Sequence, residues 1–113
     1  MNVLTKYLDE QEKDLTIIFE YFKEFNLLIP YNNNLIVDKT IKDKKILLLY
    51  TERSQIEDNI KYTELKRMKL DKIIKDIYLK DNYSSININP NKQDFLLDKQ
   101  LINIYIKYLE MTK

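Results

Sequence analysis

The chain is built without a single glycine or alanine, and this restricts its backbone and its packing together. Glycine enters left-handed backbone at no steric cost, so turns and helix ends that need positive φ must here fall to asparagine or aspartate. Asn33, Asn82 and Asn91 are the natural candidates. Without alanine, every contact between helices must be made by bulky side chains. Lysine, isoleucine, leucine and asparagine fill more than half of the chain. All four have codons that can be written in A and T alone, which points to an AT-biased genome such as that of a low-GC bacterium, its phage or plasmid, an archaeal virus or an AT-rich protist. Mutational bias is the loudest signal in the sequence, and no catalytic or binding motif rises above it.

With 113 residues, 44% hydrophobic content and 19 basic against 18 acidic side chains, one domain spanning 1–113 is expected. It is long enough to bury a core without disulfides or metals, and too apolar and too near neutral to be a disordered polyelectrolyte. Cysteine and histidine are both absent. That removes disulfides, thiolate metal sites, Ser-His-Asp and Cys-His catalysis, imidazole general bases and the usual zinc sites. Missing glycine also removes Walker loops and dinucleotide-binding turns, which bring backbone close to phosphate. AT bias does not explain the lack of His and Cys, whose codons are not GC-rich, so the composition leans towards a non-enzyme with no cofactor and no metal. The first residues run straight into Asp9-Glu10-Gln11-Glu12-Lys13-Asp14 without the apolar core of a signal peptide, and no apolar run reaches the length of a membrane span. The expected address is the cytoplasm, that of the host cell if the gene is viral, with no membrane contact.

Hydrophobic periodicity predicts an α+β, mostly helical fold: three main helices, at residues 2–27, 55–80 and 93–111, with a short antiparallel β element of two to three strands. Leu4, Leu8, Gln11, Leu15, Ile18, Phe22 and Phe25 step by four and three along the first helix, with Gln11 interrupting the seam. Pro30 and Asn32-Asn33-Asn34 stop it. Leu35-Ile36-Val37 and Ile46 to Tyr50 are short and aliphatic enough to pair as antiparallel strands, although a leucine run carries no strand period and Thr40 with Asp43 also suits a helix start. Ser54 and Glu57 have capping-box spacing and open the second helix on the stripe Ile56, Ile60, Thr63, Arg67, Leu70, Ile74 and Ile77, which turns polar near Tyr62-Thr63. Asp81-Asn82 ends it, Ser84 to Ile88 alternates as an edge strand would, and Asn89-Pro90-Asn91 makes a turn or helix start. The last helix carries Leu97, Leu101, Ile104, Tyr108 and Met111 on one face.

Charge is uneven along the chain: residues 1–38 hold three basic and seven acidic side chains, residues 39–80 twelve and seven, and residues 81–113 four and four. The plainest packing lays the acidic first segment against the basic middle, each screening the other. Asp9, Glu10, Glu12 and Asp14, continuing to Glu20 and Glu24, form an acidic cluster suited to a basic partner surface; acidic residues early in a helix are also what its dipole favours. The one-turn spacings Glu10/Asp14 and Glu20/Glu24 are a poorer match to a divalent ion. Lys61, Lys66, Arg67, Lys69, Lys72 and Lys75 make the densest basic run and, on a helix, would lie along a phosphate backbone. The interleaved Glu57, Asp58, Glu64, Asp71 and Asp76 equally suit an ordinary solvated face. Of the nine tyrosines, Tyr21, Tyr78, Tyr105 and Tyr108 neighbour apolar stripes and read as core or core edge, whereas Tyr31, Tyr50, Tyr62 and Tyr83 near segment ends are the interface candidates. Asp38 with Glu64-Leu65-Lys66 has the residue types of a metal-dependent nuclease centre, but that chemistry needs Glu-x-Lys on a strand and the segment reads as helix.

These features lead to a small non-enzymatic binding or inhibitor protein of a phage, virus or other mobile element of an AT-rich host. It is expected to act stoichiometrically on a host protein, for example a defence factor or toxin, through Asp9, Glu10, Glu12 and Asp14 or through Tyr31, Tyr62 and Tyr83. The alternative is a small DNA- or RNA-binding regulator using the basic 61–80 helix, and a helical homo-oligomer is a third reading.

Overall fold

The computed structural model describes residues 2–112, and among them four helices and seven strands in two sheets replace the mostly helical, three-helix expectation. The first expected helix is two. α1 (Val3–Asp9) is capped by Asn2, whose side chain accepts the Thr5 N–H, and α2 (Leu15–Glu24) by Asp14, which accepts the Thr16 N–H. Between them Gln11, the polar residue in the seam, takes φ 54°. Its N–H bonds the Leu8 carbonyl at 3.1 Å, and the Glu12 N–H bonds the Tyr7 carbonyl at 3.1 Å. This is a Schellman ending, with glutamine in the left-handed place where glycine usually stands. The break lets Leu4 and Leu8 from one helix and Ile18, Phe19 and Phe22 from the other enter the same core.

β1 (Leu27–Asn32) is buried on both faces, with Leu27 and Ile29 in the main core and Leu28 in a smaller cluster with Leu48 and Tyr50. Its buried N–H and C=O groups therefore need partners on both edges. β5 (Glu64–Met68) takes one edge, antiparallel from Leu27↔Met68 to Tyr31↔Glu64, while β2 (Leu35–Ile36) and the Leu28↔Tyr50 bridge take the other. This demand overrides the helical stripe of residues 55–80. What remains helical is α3 (Leu70–Ile73) and the π-helical turn Ile74–Tyr78 that continues it. Arg53–Gln55 is a 3-10 turn, and Ser54 and Glu57 form no capping box: the Ser54 hydroxyl donates to Glu52 (3.2 Å) and Glu57 accepts the Tyr50 hydroxyl (2.6 Å).

β2 is joined through Val37 alone to β3 (Asp38–Ile41), and the Val37 N–H bonds the Pro30 carbonyl at 2.9 Å. The ribbon thus passes from a three-stranded sheet, order β2-β1-β5, into a four-stranded one in which β3 is followed by β4 (Lys44–Leu49), β6 (Ser85–Ile88) and β7 (Phe95–Leu97). β4 (Lys44–Leu49) is a strand, but the two aliphatic runs do not pair with each other: β4 lies antiparallel to β3 and parallel to β6 (Ser85–Ile88). β6, expected at an edge, is interior, because β7 (Phe95–Leu97) pairs on its far side. α4 (Lys99–Met111) consequently starts later than the expected 93, behind its cap Asp98.

Both two-residue hairpin turns, Asn33-Asn34 and Lys42-Asp43, are left-handed at both positions, the type I′ geometry in which glycine is common. Asn33, Asn82 and Asn91 are left-handed as the composition requires, and Gln11, Asn34, Lys42, Asp43, Asn89 and Asp94 join them. Asn89 is fully buried beside Thr51: it accepts the Thr51 N–H (3.0 Å) and donates to the Thr51 hydroxyl (2.8 Å) and to Gln93 Oε1 (2.7 Å). The helices cover one side of the sheets, where Leu47, Leu49, Ile86, Ile88 and Leu97 meet Phe22, Ile73, Ile102 and Tyr105.

Candidate protein-binding surface

The acidic residues gather at the corner between α1 and α2, not along one helix face. Asp9 ends α1, Glu10 is its C-cap, and Glu12 accepts the Asp14 N–H at 3.0 Å. Asp14 caps α2 by accepting from the Thr16 N–H (3.0 Å) and hydroxyl (2.6 Å), and the Thr16 hydroxyl above all holds the Asp14 carboxyl below its ordinary range. Asp9, Glu10 and Asp14 stay exposed, while Glu12 is half-buried.

From this corner the outward side of α2 continues with Thr16, Ile17, Glu20, Tyr21 and Glu24, and with Tyr108 of α4 these residues line a shallow groove of about 430 Å³. Glu20 and Glu24 sit one helical turn apart. Tyr108 packs its ring on Phe19 at 5.4 Å, and Tyr21 stacks on Tyr7 at 5.0 Å between ring centres, so the carboxylates stand between tyrosines. The Tyr108 hydroxyl, and after it the Lys23 ammonium 3.2 Å away, hold the Glu20 carboxyl below the usual range. Glu20 in turn pushes the Tyr108 hydroxyl up to about 12. Half-buried tyrosines beside ionised carboxylates offer large contact area at low entropic cost together with charge.

No family model, curated protein or solved structure matches this chain.

The other residues singled out in the sequence are dispersed. Tyr31 and Tyr83 do meet, in a cleft of about 560 Å³ shared with Asp38, Lys45, Asp76 and Lys80. Their rings are already engaged, Tyr31 beneath the Lys66 ammonium (4.3 Å) and Tyr83 beneath that of Lys45 (4.4 Å). Tyr83 is buried and donates to Asp38 at 2.7 Å; burial first and that carboxylate second push its hydroxyl upward. Tyr62 is half-buried ahead of β5 and stands apart from this cleft. Tyr50, expected at an interface, is fully buried, because its hydroxyl finds Glu57 and its ring fills the smaller core cluster. Tyr78 and Tyr105 are core, and Tyr21 and Tyr108 core edge, as their stripes indicated.

The basic run does not share a face. Lys61 lies in the segment before β5, and Lys66 and Arg67 are successive strand residues that point to opposite sides. Lys69 caps α3 and donates to the Glu24 carbonyl; Lys72 and Lys75 are exposed on α3 and the π turn. Glu64-Leu65-Lys66 is on a strand after all, yet Tyr31 of β1 stands between Glu64 on β5 and Ile36 on β2, which leads to Asp38. Two strand spacings put roughly 10 Å between those backbones, too far to share an ion. Among the described residues no group of three or more carboxylates is placed to hold a metal, and no helix is long and apolar enough to cross a membrane.

Of the groove residues, Glu20 and Glu24 were visible as a one-turn acidic pair. Tyr108 was not, because it arrives from a helix far along the chain and no local pattern announces the meeting.

Proposed function

We propose that this protein is a stoichiometric, non-catalytic binder that meets a basic surface of another protein through the acidic, tyrosine-flanked outer side of α1 and α2. The groove of Glu20 and Glu24 between Tyr21 and Tyr108 carries the reading. Asp9, Glu10 and Asp14 extend its charge to the helix corner. Long-range attraction of that sign speeds encounter with a basic partner, and the tyrosines supply the desolvated contact that holds it. A compact binder encoded by an AT-biased gene fits the product of a mobile element acting on a host protein. Nucleic acid along residues 61–80 lacks its main support, since the helix that would align the cations is a strand and a short turn.

The test is capture of tagged protein's partners from lysate, with and without nuclease, using wild-type and the variant Asp9→Asn, Glu10→Gln, Glu12→Gln, Asp14→Asn. Asparagine keeps the α2 cap while removing its charge. A protein partner that survives nuclease and is lost with the variant is the expected result. Recovery of nucleic acid alone, or a partner indifferent both to this variant and to Glu20→Gln/Glu24→Gln, overturns the proposal.

A further inference from the structure

We propose that the outer edge of β5 pairs antiparallel with the same edge of a second copy of this chain, so that two three-stranded sheets become one continuous sheet. This goes beyond the binding surface on α1 and α2 and does not depend on it.

β5 ends the order β2-β1-β5, and no other helix or strand packs along its far side. Which of its backbone groups stand free follows from β1. The Leu28 N–H and C=O bond Tyr50 (2.7 and 3.0 Å), and the Pro30 C=O bonds the Val37 N–H (2.9 Å), all on the side away from β5. Because these groups alternate in direction along a strand, Leu27, Ile29 and Tyr31 turn theirs towards Met68, Lys66 and Glu64. Leu65 and Arg67 therefore point their N–H and C=O outward, where they have no hydrogen-bond partner among the described residues. Proteins guard such edges with proline, bulges or charge. Glu64–Met68 contains no proline and its register runs without a bulge, which leaves charge.

Charge repels a second strand only where like meets like. Glu64 and Lys66 are exposed, lie on one face of β5 and have no ion-pair partner among the described residues; Lys66 has the Tyr31 ring, 4.3 Å away. A two-fold axis through Leu65 sets Glu64 of each copy opposite Lys66 of the other and lets the two Leu65 residues exchange both backbone hydrogen bonds. Leu65 is half-buried beside the smaller core cluster, so this pairing continues that apolar layer across the axis. Moving the axis by one residue destroys the match: at Glu64 the two glutamates meet, and at Lys66 the two lysines. At Arg67 the two guanidinium groups meet. The edge thus complements itself in a single register, and that selects a second copy as its occupant. So short a strand makes a small interface, and a weak dimer is expected, with a Kd of about 10–100 μM.

Sedimentation equilibrium of the full chain, across about a hundredfold range of concentration around that value, should show a reversible monomer–dimer equilibrium. Glu64→Lys and Lys66→Glu, each alone, set like charges opposite one another and should weaken the dimer at least about tenfold. An equimolar mixture of the two variants should associate again, because every lysine then faces a glutamate across the axis. The chain has no cysteine, so Leu65→Cys places one thiol per copy at the axis, where opposed Cα atoms about 5.5 Å apart lie within disulfide reach. Mild oxidation should cross-link it much faster than Lys75→Cys, whose site is exposed on the π turn. A wild-type chain that stays monomeric, charge variants that self-associate like wild type, a mixture that does not associate, or a Leu65→Cys cross-link no faster than the control overturns the proposal. Circular dichroism separates a failed fold from a failed contact, and if a charge variant does not fold, the cysteine comparison decides.

Discussion

Replacing Gln11 by glycine and, separately, by alanine distinguishes the helix break from the continuous helix that the apolar seam suggests, because the two arrangements demand opposite orders of stability. The Gln11 side chain is exposed and has no hydrogen bond among the described residues, so the substitutions act through the backbone. At φ 54° a residue with a Cβ costs about 1–2 kcal/mol, and glycine returns about 0.5–1 kcal/mol of that as extra entropy of the unfolded chain. Gln11→Gly is therefore expected to stabilise the protein by about 0.5–1 kcal/mol, and Gln11→Ala to leave it near wild-type or slightly below. In the middle of a helix the order reverses, with glycine worse than alanine by about 1 kcal/mol. Urea unfolding followed by far-ultraviolet circular dichroism reads the difference: with a slope of about 1–3 kcal/mol per molar, the glycine variant's midpoint should rise by roughly 0.2–1 M. A midpoint for Gln11→Ala above that for Gln11→Gly would refute the left-handed ending and restore one helix through residues 2–27.

Two further outcomes follow from the buried polar groups. Asn89→Ala strips Thr51 and Gln93 of their partner and places alanine in left-handed backbone, so a loss of about 3–5 kcal/mol is expected, of which Asn89→Gly should recover about 1 kcal/mol; urea midpoints within error of wild-type would show that this turn organises nothing. Burial raises the hydroxyls of Tyr50, Tyr83 and Tyr105 above the ordinary tyrosine value. A folded-state value above the unfolded one, about 10, means that their contribution is whole below that pH and is lost as pH rises beyond it. Tyrosinate absorbance should then grow in a cooperative step coincident with loss of circular dichroism, and smooth ionisation of every tyrosine in a protein that stays native would contradict the burial.

Much of the local chemistry was legible. Asn33, Asn82 and Asn91 follow from the absence of glycine, since a left-handed turn must be made by the residue that tolerates it best. The apolar membership of the first segment also holds, with Leu4, Leu8, Ile18 and Phe22 in the core, but α4 meets them through Ile102 and Tyr105, while Ile104 and Met111 of its expected face are exposed and Leu97 lies on β7. The failure at residues 55–80 is of another kind. Ile56, Leu70, Ile74 and Ile77 share a helical stripe, but Ile56 packs beside the small cluster of Leu28, Leu48 and Tyr50, whereas Leu70, Ile74 and Ile77 join the main core. Periodicity records which residues are apolar and is silent on which of two cores they enter.

The acidic surplus of the first 38 residues, the asparagine turns and the lack of imidazole and thiol chemistry belong to the sequence alone, because each depends on a side chain and its immediate backbone. The conversion of a helical stripe into β5, the interior position of β6, the burial of Tyr50 and Tyr83 and the meeting of Tyr108 with Glu20 belong to the fold. The reason is common to all four. Hydrogen bonds along a strand edge, and the removal of an aromatic ring from water, are satisfied by groups tens of residues away, and those partners exist only once the chain has closed on itself.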